Sequence, residues 1–303
     1  MGQPLIHIGY PRAASTWLRN HLFVAGNFLQ PFERDDLIAR LMTPNPLDFD
    51  DEACRAWARE GLQRAEGAGR TPVLSCESLC GSVYIGGWDA AEIAARLNRT
   101  FGGAHILIVV REQMAALLSL YNIYVQGGGA LPIDELLAPP KKGRHLMPRF
   151  LLSYFCYTRV VALYDRLFGK DNVVVLPFEQ FVGDGPAFAQ RVASAANASV
   201  PADLPFTRVV NKALSPGRLA FRRRVNLLRV RSSLNSYSTL HAPRLARALD
   251  WCESWPVWER RSACTQANWR EQIARASAGQ FADDNRRLAA RMSMDLAAYG
   301  YAV

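Results

Sequence analysis

A chain of 303 residues, half of them hydrophobic and 21% charged, is long enough to bury one large core or a core with a helical appendage. Its 36 Lys and Arg against 27 Asp and Glu leave a net charge of +9, which suits an anionic ligand such as a nucleotide and also permits a membrane surface or nucleic acid. No apolar run approaches the roughly 18–20 residues of a bilayer span, and the chain carries neither Cys/His finger spacing nor a ribonucleoprotein sheet motif, so spanning proteins and the common nucleic-acid modules are excluded.

The first element is the run Leu5, Ile6 and Ile8, which reads as a strand. It meets a small-residue loop, Gly9 to Ser15, and then Thr16, Trp17, Leu18, Leu22 and Phe23 at helical spacing. A strand, a tight loop and a helix start form an anion cradle, because the first helical N–H groups lack partners and the macrodipole is positive there. The frame partly matches the nucleotide phosphate loop G-x-x-x-x-G-K-[ST]: Gly9 and Thr16 fit, but Ala14 replaces the second glycine and Ser15 the lysine. A kinase or ATPase needs that lysine on its β- and γ-phosphates. The basic residue here is Arg12, inside the loop.

Helical patterns near 51–66 and 89–100 flank a second strand at 72–76, whose end carries Glu77. A third strand, His105 to Val110, is continuously apolar and β-branched, the mark of a strand buried on both faces. It ends in Arg111 and feeds a helical pattern near 112–124 that contains Ser119. The stretch from Gln126 to Gly143, with three consecutive glycines and paired prolines and lysines, reads as a mobile connection of the lid or acceptor-loop kind. A helix near 149–168, a strand near 172–176 followed by Glu179, and a helix near 185–197 come next. From about 200 strand signals fade, and Trp251, Trp255, Trp258 and Trp269 recur at spacings expected of a helical core.

Alternating strands and helices imply a parallel sheet covered on both faces, with ligand chemistry gathered at the carboxyl ends of the strands. On that edge stand the Arg12 loop, Glu77 and Arg111. A carboxylate near an apolar strand end is expected to have its pKa raised toward general-base use; as the first residue of a turn, Glu77 also reads as a helix cap. Asp284 to Leu288 and Asp295 to Tyr301 read as packing. The six cysteines lack metal-ligand spacing, so no metal is expected.

Pro11-Arg12-Ala13-Ala14-Ser15-Thr16-Trp17 resembles the 5′-phosphosulfate loop of sulfotransferases that use 3′-phosphoadenosine 5′-phosphosulfate (PAPS), usually P-K-[SA]-[GA]-[ST]-T-W. The departure is Arg12 in place of Lys, which keeps the charge but presents a planar fork. Arg111 and Ser119, eight positions apart, are similar to the family's strand-end Arg and helix Ser that hold the 3′-phosphate. The resemblance spans essentially the whole chain, with its specific motifs in the first 125 residues. It implies a three-layer α/β, P-loop-like fold with a central parallel sheet flanked by helices and a helical C-terminal region. Residues 1–303 would form one domain, with a nucleotide-binding core over 1–200 and a mainly helical covering region over 201–303.

The resemblance also implies PAPS as sulfuryl donor, with Arg12, Ala13, Ala14, Ser15, Thr16 and Trp17 around the 5′-phosphosulfate. Trp17 either lies near the adenine or anchors the helix. Arg111 and Ser119 would take the 3′-phosphate, helped by Lys212 or Arg218 from a closing loop; a solvated basic helix face is the other reading of those two. Glu77 would act as base and Arg12 would neutralise the leaving group. The acceptor would be a hydroxyl-bearing (or amine-bearing) metabolite, glycan or lipid, with no nucleic-acid partner. Peripheral membrane contact stays open, as does oligomeric state. A first strand within a few residues of Met1 leaves no room for a leader, so a cytoplasmic enzyme is expected. Two rivals remain: a phosphotransferase on the same core, and an inactive PAPS-binding homologue.

Overall fold

The structure is a computed structural model that describes residues 3–139, 149–201, 203–206, 214–229 and 242–303. The chain is α/β, with a central five-stranded sheet in the order β2-β3-β1-β4-β5 and every pairing parallel. The strands are β1 (Leu5–His7), β2 (Phe28–Leu29), β3 (Thr71–Ser75), β4 (His105–Val110) and β5 (Val173–Pro177). Four of them fall where the apolar runs predict. The fifth, β2, is two residues long, too short to leave a pattern, and exists because Phe28 and Leu29 pair with Thr71 and Pro72.

β1 lies between β3 and β4, with Leu5 opposite both Val73 and His105. Its pairing with the β4 strand runs past its end, through Ile8 N–H to the Leu107 carbonyl at 3.0 Å and Tyr10 N–H to the Val109 carbonyl at 3.1 Å. The chain leaves β1 toward β3 on one side and returns to β4 on the other. A switch point of this kind opens a crevice at the carboxyl ends of the strands, and the Gly9–Ser15 loop sits there.

Side chains alternate across the sheet. One face buries Leu5, Val73, Leu107 and Val109 against Trp17, Leu18 and Leu22 of the first helix and Phe188 and Val192 of helix Gly185–Ala195. The alternate residues Ile6, Ile8, Ile106 and Ile108 are buried on the other side, where helix Tyr157–Phe168 lies against β4 and β5. The first helix is short and irregular: an α-helical turn, Ser15–Trp17, runs into a π-helical stretch, Leu18–Leu22, in which Phe23 N–H reaches the Leu18 carbonyl at 2.8 Å. Single π turns are frequent at functional sites, and a second one, Ile38–Met42, occurs in this chain.

Backbone contacts divide the chain into two compact units. The α/β unit comprises 1–112, 143–208 and 280–303, so the closing segment joins the sheet-bearing part. There Asp284 is buried and accepts from the Thr158 side chain and N–H, while Asn285 donates to the Ala302 carbonyl at 2.7 Å.

The second unit, 113–142 and 209–279, is built among its described residues from helices such as Gln113–Gln126, Pro216–Asn226 and Ser262–Ala276. Within the glycine- and proline-rich connection after Gln126, Ile133–Leu137 is a helix with Ile133 and Leu137 buried, and the Tyr124 hydroxyl accepts the Leu131 N–H at 3.1 Å. One expectation is corrected here. The tryptophans do not share a core. Trp258 stacks on Phe221 and Trp269 sits edge-on to Tyr121, whereas Trp251 and Trp255 are exposed.

Candidate active site

The site grows from the loop after β1. Arg12 and Ala14 both adopt left-handed backbone conformations, φ 67° and 61°, which cost a side-chain-bearing residue about 1–2 kcal/mol each. Something must hold them, and Arg111 does. Its Nη1 donates to the Arg12 carbonyl at 2.9 Å, its guanidinium lies 4.8 Å from the Phe178 ring centre, and the Tyr157 hydroxyl donates to the Arg111 carbonyl at 2.5 Å. Glu179 joins the same scaffold as a structural link, accepting from Glu112 N–H and from the Tyr301 hydroxyl, each at 3.0 Å. Burial lowers the Arg111 pKa and so does neighbouring Arg12, against the opposing pull of Glu179. At physiological pH the group remains a cation.

Ser15 begins the helix. The first intrahelical bond runs from Leu18 N–H to the Ala14 carbonyl at 3.0 Å, so the N–H groups of Ser15, Thr16 and Trp17 precede the hydrogen-bonded ladder. Two buried side-chain atoms here have no hydrogen-bond partner: Ser15 Oγ and Arg111 Nε. The large majority of buried polar side-chain atoms have a hydrogen-bond partner. A donor hydroxyl, a cation and a helix start at a switch point fit an oxyanion such as a phosphate or phosphosulfate.

Trp17 is only 5% exposed. Its indole donates to the Pro205 carbonyl at 2.8 Å, and its ring stacks on Phe206 and tilts against Phe181. Of the two roles open to it, these contacts are those of a helix anchor.

Glu77 opens the turn after β3, on the strand next to β1 and at the same sheet edge. The expected rise in its pKa is corrected. Burial pushes the carboxyl up, but Arg19 outweighs it with charge and a hydrogen bond at 2.5 Å, Arg34 adds a second cation at 3.9 Å, and the net pKa lies below the usual carboxylate value. Glu77 is therefore a stable carboxylate held in place by two guanidiniums. Arg19 was not singled out from the sequence. The available signal was its position seven residues after Arg12, on the helix that the loop starts.

Beneath the loop, His7 is fully buried, its Nδ1 and Ser75 Oγ are hydrogen-bonded at 2.8 Å, and Nε2 has no partner. Nε2 lies 2.5 Å from where a Cβ on Gly9 would stand, so any side chain at position 9 would have to displace the buried histidine. Burial lowers the His7 pKa from 6.5 to about 3, with Glu77 pulling it up and Arg19 down. A depressed histidine pKa means that the unfolded chain takes up a proton before the folded one does. Stability should therefore fall as pH drops below 6.5 and keep falling toward about 3. This site alone should cost about 2 kcal/mol by pH 5, at 1.36 kcal/mol per pH unit. Urea denaturation at pH 7 and pH 5 measures it, and His7→Gln should remove most of the difference.

The remaining candidates belong to the helical unit or lie outside the described residues. Ser119 is half-buried on helix Gln113–Gln126 of the helical unit. Arg218 is in that unit too, on helix Pro216–Asn226, donating from Nε to the Glu253 carbonyl at 3.0 Å and facing Glu259 at 4.0 Å. From Pro216 the segment is a helix start, the second of the two readings open to Arg218. Lys212 lies outside the described residues. Two open clefts of about 520 and 500 Å³ share His105 and Asn197, at the amino ends of the strands, and neither is lined by a residue of the candidate site. No cluster of three metal-ligating side chains occurs among the described residues, and no helix among them is long and apolar enough to cross a membrane.

Neither a family model nor a curated protein matches this chain. Among solved structures, the fold is similar to that of a sulfotransferase from Alicyclobacillus acidocaldarius, with a TM-score of 0.57 over 99% of this chain and 100% of that one, at 17% identity. That likeness is one of fold: a central five-stranded parallel sheet flanked by helices, consistent with a sulfotransferase-like α/β architecture.

Proposed function

We propose that this chain is a PAPS-dependent sulfotransferase that sulfates a hydroxyl (or amine) of a small-molecule, glycan or lipid acceptor. The observation that carries the reading is a single sheet edge holding three things together. These are an anion-accepting loop with Ser15 Oγ unpartnered, the Arg111 cation bonded to that loop through the Arg12 carbonyl, and the Glu77 carboxylate on the neighbouring strand. The sulfotransferase-like fold supports it.

PAPS supplies an activated sulfuryl group. In the proposed reaction the acceptor oxygen forms a bond to sulfur while the bond from sulfur to the bridging phosphate oxygen breaks, and the acceptor proton passes to a Glu77 oxygen. The Ser15, Thr16 and Trp17 N–H groups and the Ser15 hydroxyl would receive the 5′-phosphosulfate. Arg12 would offset the charge that develops on the leaving oxygen, a preorganised electrostatic role. Arg111 would contribute to the 3′-phosphate with Ser119, and Lys212 and Arg218 are assigned the same ligand. A γ-phosphate reader would need a lysine where Ser15 stands.

The test is the thermal stability of the purified protein with 3′-phosphoadenosine 5′-phosphate (PAP), the proposed product nucleotide, beside ADP and ATP–magnesium. A ligand at a hundred times its dissociation constant stabilises by about 2.7 kcal/mol. Preferential stabilisation by PAP is the expected result. An equal response to ADP, or a response to ATP–magnesium alone, overturns the assignment.

A further inference from the structure

The charge of the chain is unevenly distributed. Residues 209–279 carry thirteen Lys and Arg against four Asp and Glu, and residues 113–142 carry two of each. The helical unit therefore holds a net +9, equal to that of the whole chain, and the α/β unit is neutral. Lys212 and Arg218, the two basic residues of this unit assigned to the nucleotide above, account for only two of those charges.

Within 209–279 every acid is already matched. Asp250 pairs with Arg229, Glu253 with Arg222 at 2.7 Å, Glu271 with Arg275 at 2.7 Å, and Glu259 accepts from Ser215 at 2.9 Å with Arg218 at 4.0 Å. Exposed Arg244, Arg247, Arg260 and Arg261 have no carboxylate partner among the described residues. The same stretch exposes large apolar side chains: Trp251 at 72%, Leu245 at 53%, Val257 at 42% and Trp255 at 41%. The two indoles meet edge to face at 5.5 Å.

Two adjoining exposed tryptophans, with exposed aliphatic side chains and arginines lacking a carboxylate partner among the described residues in the same stretch, have the chemistry of the membrane–water interface, where indoles settle at headgroup depth and guanidiniums meet lipid phosphates. A polyanion such as nucleic acid would use the arginines and the ring faces. It would gain nothing from Leu245 or Val257, whose transfer out of water favours an interface with hydrocarbon beneath it. We propose that the surface formed by 243–261 docks the protein onto bilayers that contain anionic lipid. The inference goes beyond the sulfotransferase reading and does not depend on it.

Sedimentation of the full chain with vesicles tests it, using phosphatidylcholine alone and phosphatidylcholine mixed with phosphatidylglycerol. The protein should pellet with the mixed vesicles, release as ionic strength rises, and bind the neutral ones far less. Trp251→Ser with Trp255→Ser should weaken partitioning at least tenfold, and Arg260→Ser with Arg261→Ser about fivefold per residue, with melting temperature unchanged in both. No binding to the mixed vesicles overturns the proposal. So does binding that is undiminished in the tryptophan variant, or a tighter, tryptophan-independent association with single-stranded DNA. None of these results bears on the PAP stabilisation, so the two readings fail separately.

Discussion

Glu77→Gln should lower sulfuryl transfer by about 10²–10⁴-fold while leaving stabilisation by PAP intact. The amide is isosteric and can still accept from Arg19, so the turn at Glu77–Cys80 should persist. What it loses is the capacity to take a proton. Initial rates with PAPS and a hydroxyl acceptor, alongside the melting temperature with PAP, measure both halves. Unchanged turnover would remove Glu77 from the chemistry, and lost PAP stabilisation would make it a binding group.

The lowered pKa of Glu77 gives this prediction a pH signature. Burial raises it, but Arg19 and Arg34 hold it below the ordinary carboxylate value, so the carboxyl is already deprotonated across the neutral range. Activity should be flat there and decline only in acid, as the carboxylate is protonated. Arg19→Leu should move that acid limb upward in pH, because burial would then act with one opposing cation fewer. The cost of the arrangement is basicity: a carboxylate stabilised by two guanidiniums accepts a proton less readily, which suits a step in which the proton leaves late.

Arg111→Ala should abolish the preference for PAP over ADP and also lower the stability of the apoprotein. The first effect follows from losing charge-assisted bonds to a phosphate, each worth about 1.5–3 kcal/mol, or roughly 10- to 150-fold in affinity. The second follows because Nη1 holds the Arg12 carbonyl and the guanidinium covers the Phe178 ring. Arg111→Lys separates the two. It restores a cation but cannot donate to a loop carbonyl and a phosphate in the same planar fork, so it should recover part of the nucleotide affinity and little of the loop stability. Calorimetric titration with PAP and ADP, with urea denaturation of each variant, distinguishes these outcomes. Equal PAP affinity in all three proteins would exclude Arg111 from the nucleotide site.

Both predictions rest on a strained loop. Arg12 and Ala14 occupy left-handed conformations in which glycine is usual, and strain of this kind persists where the surroundings over-determine the backbone. Those surroundings are Arg111 on one side and His7 beneath Gly9 on the other. The loop is thus held before any ligand arrives, which reduces the ordering that binding must supply.

Local sequence determined the four longer strands, because β-branched apolar runs such as His105–Val110 are buried in any compact arrangement. It determined the loop after β1 and the strand-end positions of Glu77 and Arg111, because small residues and chain punctuation act over a few positions. Tertiary structure decided the rest. The two-residue strand β2 exists only through its pairing with β3. Glu77 is a low-pKa carboxylate because Arg19, fifty-eight residues earlier, lies 2.5 Å away. Trp258 and Trp269 are packed while Trp251 and Trp255 face solvent, although all four recur at similar spacing. Periodicity records that a residue lies on a helix face; whether that face meets another element, an ion pair or water depends on residues distant in the chain.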